Sequence, residues 1–227
     1  VLQRVAGPEI SAFFDALHRT HGVDLRLGAM LAGFEGRGRI ERAVLASGER
    51  IDCDAVLIGV GAAPATELAA EAGLAIDNGI ATDEHASTSD PAIFAAGDCA
   101  SHPSLLYGRR MRLESVPNAI EQAKVAGANM AGGSAVYDAV PWFWSDQYDV
   151  KLQTAGVAEG AETGVIRGDP GAARFSLWSL KDGRVLAVDA VNDPASFLAA
   201  RKIIAAKTPV DAKSLADPAT DLNSLAS

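Results

Sequence analysis

The residues best placed by type and order to do chemistry lie between Thr82 and Ala100. A turn-forming group, Thr88, Ser89, Asp90 and Pro91, precedes a run of small and apolar residues from Ala92 to Ala96, which Gly97 and Asp98 close. Such a run reads as a short buried parallel strand that delivers a carboxylate to the rim of a sheet. There Gly97 lets the backbone come close to a ligand, and Asp98 can accept a bond from a sugar-type hydroxyl. Further on, Pro117 suits the first position of a helix that runs to about Ala131. That reading makes Val116 the N-cap, and its side chain accepts nothing, so the first-turn N–H groups stay open to an outside acceptor. Ser115, one residue earlier, is the ordinary alternative cap. An open helix start stabilises negative charge that develops on a group held against it. Just ahead of it, Arg109, Arg110 and Arg112 form the densest basic cluster in an acidic chain. Three arginines are usually a solvated strand, but beside a ligand site they can receive an acidic partner.

The elements that must position these groups follow from local pattern. Pro8, Glu9 and the apolar set Ile10, Phe13, Phe14 and Leu17 predict a helix over 8–21, ended by Gly22. Short strands are expected at Val23–Leu27, at Ile40–Ala46 and, beyond the Ser47–Glu49 turn, at Arg50–Cys53. Val56–Val60 is a continuous apolar run, the mark of a strand covered on both faces. It ends in the backbone-exposing turn Gly61, Ala62, Ala63 and Pro64. A short helix is expected at Glu67–Ala72 and a loop at 101–108. Trp142, Phe143 and Trp144 open a new region, where Trp142 and Phe143 read as a hydrophobic anchor. Antiparallel strands follow near 149–155, 163–167, 174–180 and 184–191, the last two joined at Lys181, Asp182 and Gly183. Asp193 and Pro194 then start a helix through Lys207, with Phe197, Leu198, Ile203 and Ile204 inward and Arg201 and Lys202 outward. The last stretch predicts one weak turn near Leu215 and a frayed end.

Composition sets limits. The chain has 227 residues, 48% apolar and 22% charged, ordinary for a globular protein. A net charge of −9 makes nucleic acid an unsuitable partner, and no basic block suggests a membrane surface. No apolar run is long enough to span a bilayer. Cys53 and Cys99 stand far apart, which argues against a disulfide framework, a zinc site or a redox dithiol and fits a reducing cytoplasm. No metal site and no acid, base or nucleophile of catalysis is expected.

The ordered string Thr82-x5-Thr88-Ser89-x-Pro91-x-Ile93-Phe94-Ala95-x-Gly97-Asp98 resembles the second flavin fingerprint of the FAD-dependent pyridine-nucleotide oxidoreductases. Glu114-Ser115-Val116-x-Asn118-Ala119 resembles the ferredoxin-reductase branch of that family, and Pro141-x-Phe143-Trp144-Ser145-x-Gln147 the junction of its oxygenase-coupled members. The resemblance covers essentially the whole chain. It implies an α/β fold in three parts: the rear of a nicotinamide-binding domain (1–63), the second segment of a three-layer flavin-binding domain with a parallel sheet (64–140), and a small α+β C-terminal domain with an antiparallel sheet (141–227). It further implies that Asp98 holds a ribityl hydroxyl, with the backbone after Asp98 nearing the pyrophosphate and Gly97 part of the same cofactor-binding turn. The Val116 backbone, at the helix that Pro117 opens, would touch the isoalloxazine, and Trp144 would lie beside the flavin. Gly61 and Ala62 would pass near the nicotinamide.

The implied activity is relay from NADH or NADPH through FAD to a [2Fe–2S] ferredoxin that serves an oxygenase or cytochrome P450, with Arg109, Arg110 and Arg112 as its landing site. Two other readings are a disulfide- or NADH-oxidase-type flavoenzyme of the same superfamily and a non-catalytic fragment or interaction module. The start at Val1 and the lack of any Gly-x-Gly-x-x-Gly lead to the expectation of a C-terminal portion, with the Gly-rich loops in an N-terminal half.

Overall fold

The computed structural model describes residues 1–2 and 6–226, which divide into two compact units. One comprises Val1 and Ala12–Ala63, the other Leu2–Ser11 and Pro64 onward. Helix α1 (Pro8–Thr20) begins in the second unit and continues into the first. Its bounds follow the sequence: Pro8 and Glu9 start it, and Gly22, at φ +79°, turns the chain away.

Beyond α1 the first unit is a three-stranded antiparallel meander, β1 (Leu31–Glu35), β2 (Arg42–Leu45) and β3 (Arg50–Asp52). Its register sets Glu35 opposite Arg42 and Arg42 opposite Asp52, and salt bridges join the same groups. Two expected strands are absent. Val23–Leu27 lies between left-handed Gly22 and Gly28 and finds no neighbouring strand among the described residues. Val56–Val60 likewise pairs with no described strand, and Leu57, Ile58 and Val60 are 98%, 63% and 87% exposed rather than covered. An apolar run becomes a buried strand only where ladders flank it.

The second unit opens with a short helix, α2 (Glu67–Glu71), and a small sheet of β4 (Ile80–Ala81), β5 (Ala100–Ser104) and β6 (Arg109–Arg112) in that order. The parallel sheet expected here is the single pair β4–β5, while β5 and β6 form an antiparallel hairpin. Half of the loop expected at 101–108 is therefore strand. Helix α3 (Val116–Met130) follows.

The remaining elements are a five-stranded antiparallel sheet ordered β7 (Trp142–Gln147), β8 (Val150–Gly156), β11 (Arg184–Val191), β10 (Arg174–Lys181), β9 (Thr163–Asp169). The β10–β11 hairpin turns on Asp182 and Gly183, both at positive φ, as a two-residue hairpin loop requires. Helix α4 (Pro194–Ala206) starts where expected, with the Asp193 carboxylate accepting the Ser196 N–H at 3.2 Å. It covers one face of the sheet, burying Phe197, Ile203 and Ile204 with Trp178, Leu180 and Val188. Leu198, expected inward, is 56% exposed, and Ala199 and Ala200 occupy the inner face instead.

The end of the described chain does not fray. It forms α5 (Ala212–Ala216) and a 3-10 turn (Leu222–Ala226), with Leu215 and Leu222 buried. Arg167 explains this, because its guanidinium donates to the carbonyls of Leu215, Asp217, Pro218 and Thr220. Replacing it with Met, which keeps the stem but removes five donors, should cost about 2 kcal/mol in urea unfolding. Amide exchange of residues 215–222 should accelerate with it, and unchanged exchange there would contradict the clamp.

Candidate functional site

The turn ahead of Gly97 is built as its residue types suggest. The Thr88 hydroxyl donates to the Asp90 carbonyl at 3.0 Å, and the Asp90 carboxylate accepts the Ala92 N–H at 2.9 Å. The strand expected at Ala92–Ala96 is reduced to one bridge between Ser87 and Phe94, because the backbone bonds of this run close a local turn. The parallel strand β5 follows Asp98 instead of preceding it.

Gly97 is buried at φ +84°, a conformation open to Gly, and its N–H donates to Gln122 Oε1 at 2.8 Å. Asp98 is exposed, and its carbonyl accepts Arg112 Nη1 at 3.0 Å. The α3 start resolves the two capping readings: Ser115 is the N-cap and accepts the Asn118 N–H at 3.3 Å. Pro117 at the second helical position has no N–H, and the Val116 N–H donates to nothing among the described residues. The helix start is thus partly capped, with one open donor where Val116 stands.

Of the three arginines, the structure turns two to internal work. Arg110 Nη1 donates to the carbonyls of Thr82 and Ser101, tying β6 across the β4–β5 pair, and its Nε lies 3.6 Å from Asp77. The Arg112 side chain is only 11% exposed and joins the Asp98 carbonyl to Glu114 Oε1 at 2.7 Å. Its Nε is buried and has no acceptor among the described residues. Arg109 is the most exposed and pairs with Glu159 at 2.7 Å. Each cation is matched by a carboxylate, so β6 presents no bare basic patch, and Arg112 supports the Asp98 loop.

Beneath this surface lies a polar network that sequence reasoning missed. Gln122 Nε2 meets His102 Nδ1 at 2.8 Å, and both side chains are buried. Burial, with Arg110 nearby, pushes His102 down to about 4, so it is neutral at pH 7 and Nδ1 accepts. Tyr137 stands edge-on to His102, ring centroids 4.8 Å apart, and its hydroxyl donates to Asn118 Oδ1 at 2.8 Å. Burial raises that phenol to about 12. Asn118 Nδ2 donates to the Leu113 carbonyl at 3.0 Å, just before the α3 start. Asn118 and Gln122 are four apart on α3, the one available signal, but polar residues at that spacing more often face water.

Two clefts flank the start of α3. One, of about 410 Å³, is lined by Gly7, Glu114, Ser115, Phe143, Val157 and Glu159, among others. The other, of about 530 Å³, is lined by Pro117, Asn118, Tyr137, Trp142, Arg201 and Lys202, among others. Trp142 behaves as the anchor expected of it, its ring 5.6 Å from Phe197 and 5.3 Å from the Arg201 guanidinium. Trp144, on β7, is 44% exposed and 5.7 Å from Trp142. In the other unit, Gly61 and Ala62 are exposed backbone outside any strand, Gly61 at φ +98°. No His, Cys, Asp and Glu group among the described residues could hold a metal.

A family model described as pyridine nucleotide-disulphide oxidoreductase matches residues 1–123. The chain belongs to this family. A second model, described as reductase C-terminal, matches residues 142–226. Putidaredoxin reductase CamA of Pseudomonas putida is 43% identical over 228 residues, covering 99% of this chain and 54% of its own length. The ferredoxin reductase subunit of a 5,5'-dehydrodivanillate O-demethylase from Sphingobium is 45% identical, with 99% and 55% covered. Among solved structures, the ferredoxin reductase of the CYP199A2 system from Rhodopseudomonas palustris superposes with a TM-score of 0.96 at 39% identity, over 100% of this chain and 56% of that one. The α/β fold with mixed and antiparallel sheets is thus that of known ferredoxin reductases, and the chain spans about half the length of the curated relatives it matches.

Among the described residues, no helix is long and apolar enough to cross a membrane. Asp98 leaves an exposed carboxylate and Val116 an amide with no partner among the described residues, an acceptor for hydroxyls and a donor for a carbonyl, which is chemistry that a flavin could use.

Proposed function

We propose that the protein is an FAD-dependent reductase that passes electrons from NADH or NADPH to a [2Fe–2S] ferredoxin serving an oxygenase or a cytochrome P450. The observation that carries this reading is the joining of the Gly97–Asp98 loop to the α3 start through Gln122 and Arg112, in a chain whose relatives are named ferredoxin reductases. Bound FAD would supply the exchange between two-electron and one-electron chemistry, and the protein supplies orientation and electrostatics. Asp98 would hold a ribityl hydroxyl, the α3 start with Val116 and Pro117 would face the isoalloxazine, and Trp144 would lie beside it. Gly61 and Ala62 would pass near the nicotinamide. The free Cys53 and Cys99 favour a cytoplasmic setting. A disulfide-reductase reading is weaker, since no His follows His102 and no paired cysteines are present in the chain.

The test is the visible absorption spectrum with and without added FAD. Yellow flavin that bleaches with NADH and reduces an added ferredoxin supports the reading. A colourless protein that takes up no FAD would identify a structural module instead.

Ferredoxin contact through the arginines rests on Arg109, the one least occupied internally. Reversing it (Arg109→Glu) should slow ferredoxin reduction about tenfold at low salt, less at high salt, while NADH-to-ferricyanide turnover holds. Equal loss of both activities would remove Arg109 from the landing site.

A further inference from the structure

We propose that Gln122 is a positioning residue of the flavin site: its side-chain amide fixes the spacing between the Asp98 loop and the first turn of α3. This inference rests on the flavin reading above and adds to it a residue that touches no ligand itself.

Every bond in the network has one direction. The Gly97 N–H can only donate, so Oε1 is the atom of Gln122 that faces it at 2.8 Å. That leaves Nε2, a donor, toward His102 Nδ1 at 2.8 Å. His102 must therefore accept at Nδ1 and carry its proton on the other ring nitrogen. Its ring packs perpendicular to that of Tyr137, whose hydroxyl donates to Asn118 Oδ1, leaving Asn118 Nδ2 for the Leu113 carbonyl. The chain of contacts starts at the residue before Asp98 and ends on the segment that leads into Ser115 and Val116. Gln122, His102 and Asn118 are each at most 3% exposed, so water cannot replace a lost partner cheaply.

The geometry has a reason to need such a tie. Gly97 sits at φ +84° between a turn and β5, and its own carbonyl takes only the Ala100 N–H at 3.0 Å. Apart from that local bond, Gly97 and Asp98 are themselves linked to the rest of the unit by the Gln122 bond and the Arg112 bond to the Asp98 carbonyl, while the carbonyl of the next residue, Cys99, accepts the Ile80 N–H at 2.7 Å. Arg112 leads to Glu114 and Gln122 lies inside α3, so both links run to the α3 end of the site. Both have a further partner, Glu114 for Arg112 and His102 for Gln122, but only the Gln122–His102 pair is buried throughout.

The experiment compares Gln122→Met and Gln122→Glu in the full-length gene product, reading FAD dissociation constant, visible circular dichroism of the bound flavin, and thermal midpoint of the apoprotein. Met keeps the volume and removes both polar atoms, leaving the Gly97 N–H and His102 unpaired. It should weaken FAD binding about 10- to 100-fold and alter the flavin dichroism at saturation. Glu keeps an oxygen for the Gly97 N–H, and its second oxygen pairs with His102 once a proton lies between them. Its affinity should stay within about fivefold of wild type.

A role in packing alone predicts the reverse order, because Met suits an apolar pocket and a buried carboxylate does not. Tyr137→Phe, which keeps the ring on His102 and removes only the donor to Asn118, should lie between wild type and Met. If Gln122→Met fails to fold, loss of FAD affinity in Tyr137→Phe with an unchanged apoprotein midpoint carries the proposal. Met within threefold of wild type, Glu as weak as Met, or Tyr137→Phe binding like wild type would each overturn it, while leaving the flavin reading intact. A wild-type protein that binds no FAD would overturn both.

Discussion

Gly156→Ala should destabilise the protein by about 3–5 kcal/mol in urea unfolding, among the largest effects expected of a single methyl group. Gly156 ends β8 at φ +79°, where an L side chain costs about 1–2 kcal/mol from backbone sterics alone. The larger part is contact. A Cβ there would overlap the Leu186 carbonyl oxygen and approach Ala187 Cα and the Tyr107 hydroxyl at 2.9 Å each. None of these can withdraw freely. Leu186 and Ala187 are backbone of β11, and the Tyr107 hydroxyl both donates to the Leu186 carbonyl and accepts the Val157 N–H, at 2.8 Å each. Burial pushes that phenol up to about 12, so it stays a neutral donor at any ordinary pH. Gly160→Ala is the control. It has the same sign of φ (+87°) but nothing within 4 Å, and should cost only the backbone share. Equal losses at the two positions would show that the Tyr107 pin contributes little rigidity.

Unfolding free energy should be nearly flat between pH 4 and 6, and Asp189→Asn should make it climb by about 3 kcal/mol as pH rises to 6.5. Two buried groups with opposite linkage cause this. Asp189 faces the side of the sheet away from α4, with Thr154 Oγ1 donating to it at 2.6 Å and the Gly7 N–H also directed at it. Burial outweighs these donors and raises its pKa from an ordinary 3.8 to about 6. The folded state then holds the extra proton, so this contribution is complete below about 4 and lost as pH rises through 6. His102 runs the other way. Its folded pKa, about 4, lies below the ordinary 6.5, so its contribution is complete above 6.5 and lost as pH falls toward 4. Each displacement is worth about 3 kcal/mol across its window, and the two slopes oppose each other. Removing the Asp189 carboxyl leaves the His102 slope exposed. A constant difference between Asp189→Asn and wild type across pH 4–7 would show that Asp189 is not protonated in the fold.

What the sequence revealed, it revealed through local chemistry. Pro8 and Gly22 mark α1, Asp193 and Pro194 mark α4, and the Asp182–Gly183 pair marks the last hairpin, because caps and turns depend on residues within a few positions. The site residues were visible only as an ordered string. Asp98 was expected at the end of a strand, but it precedes one, since Ser87–Phe94 pairing consumes the backbone of the run before it. The pairing of Gln122 with His102 gave no signal, because a buried pair twenty positions apart has neither periodicity nor motif. Arg112 looked like a partner contact because side-chain direction depends on which face of the β5–β6 hairpin is covered. Arg167 was expected only as the last residue of a strand, and the four carbonyls that it gathers come from a stretch with little pattern of its own. Trp142–Gln147 was read as a boundary and is the edge strand β7, which pairs along its whole length with β8.

The open stretch at Val56–Val60 bears on how these residues behave when nothing else covers them. Bare β-branched side chains beside unpaired backbone offer a template that a second molecule can extend, the first step of fibril growth. The five-residue length, the Gly59 within it and the Gly61–Pro64 turn behind it act as gatekeepers that limit such stacking. For these 227 residues expressed by themselves, soluble yield should therefore depend on this short stretch as much as on the core around Trp178.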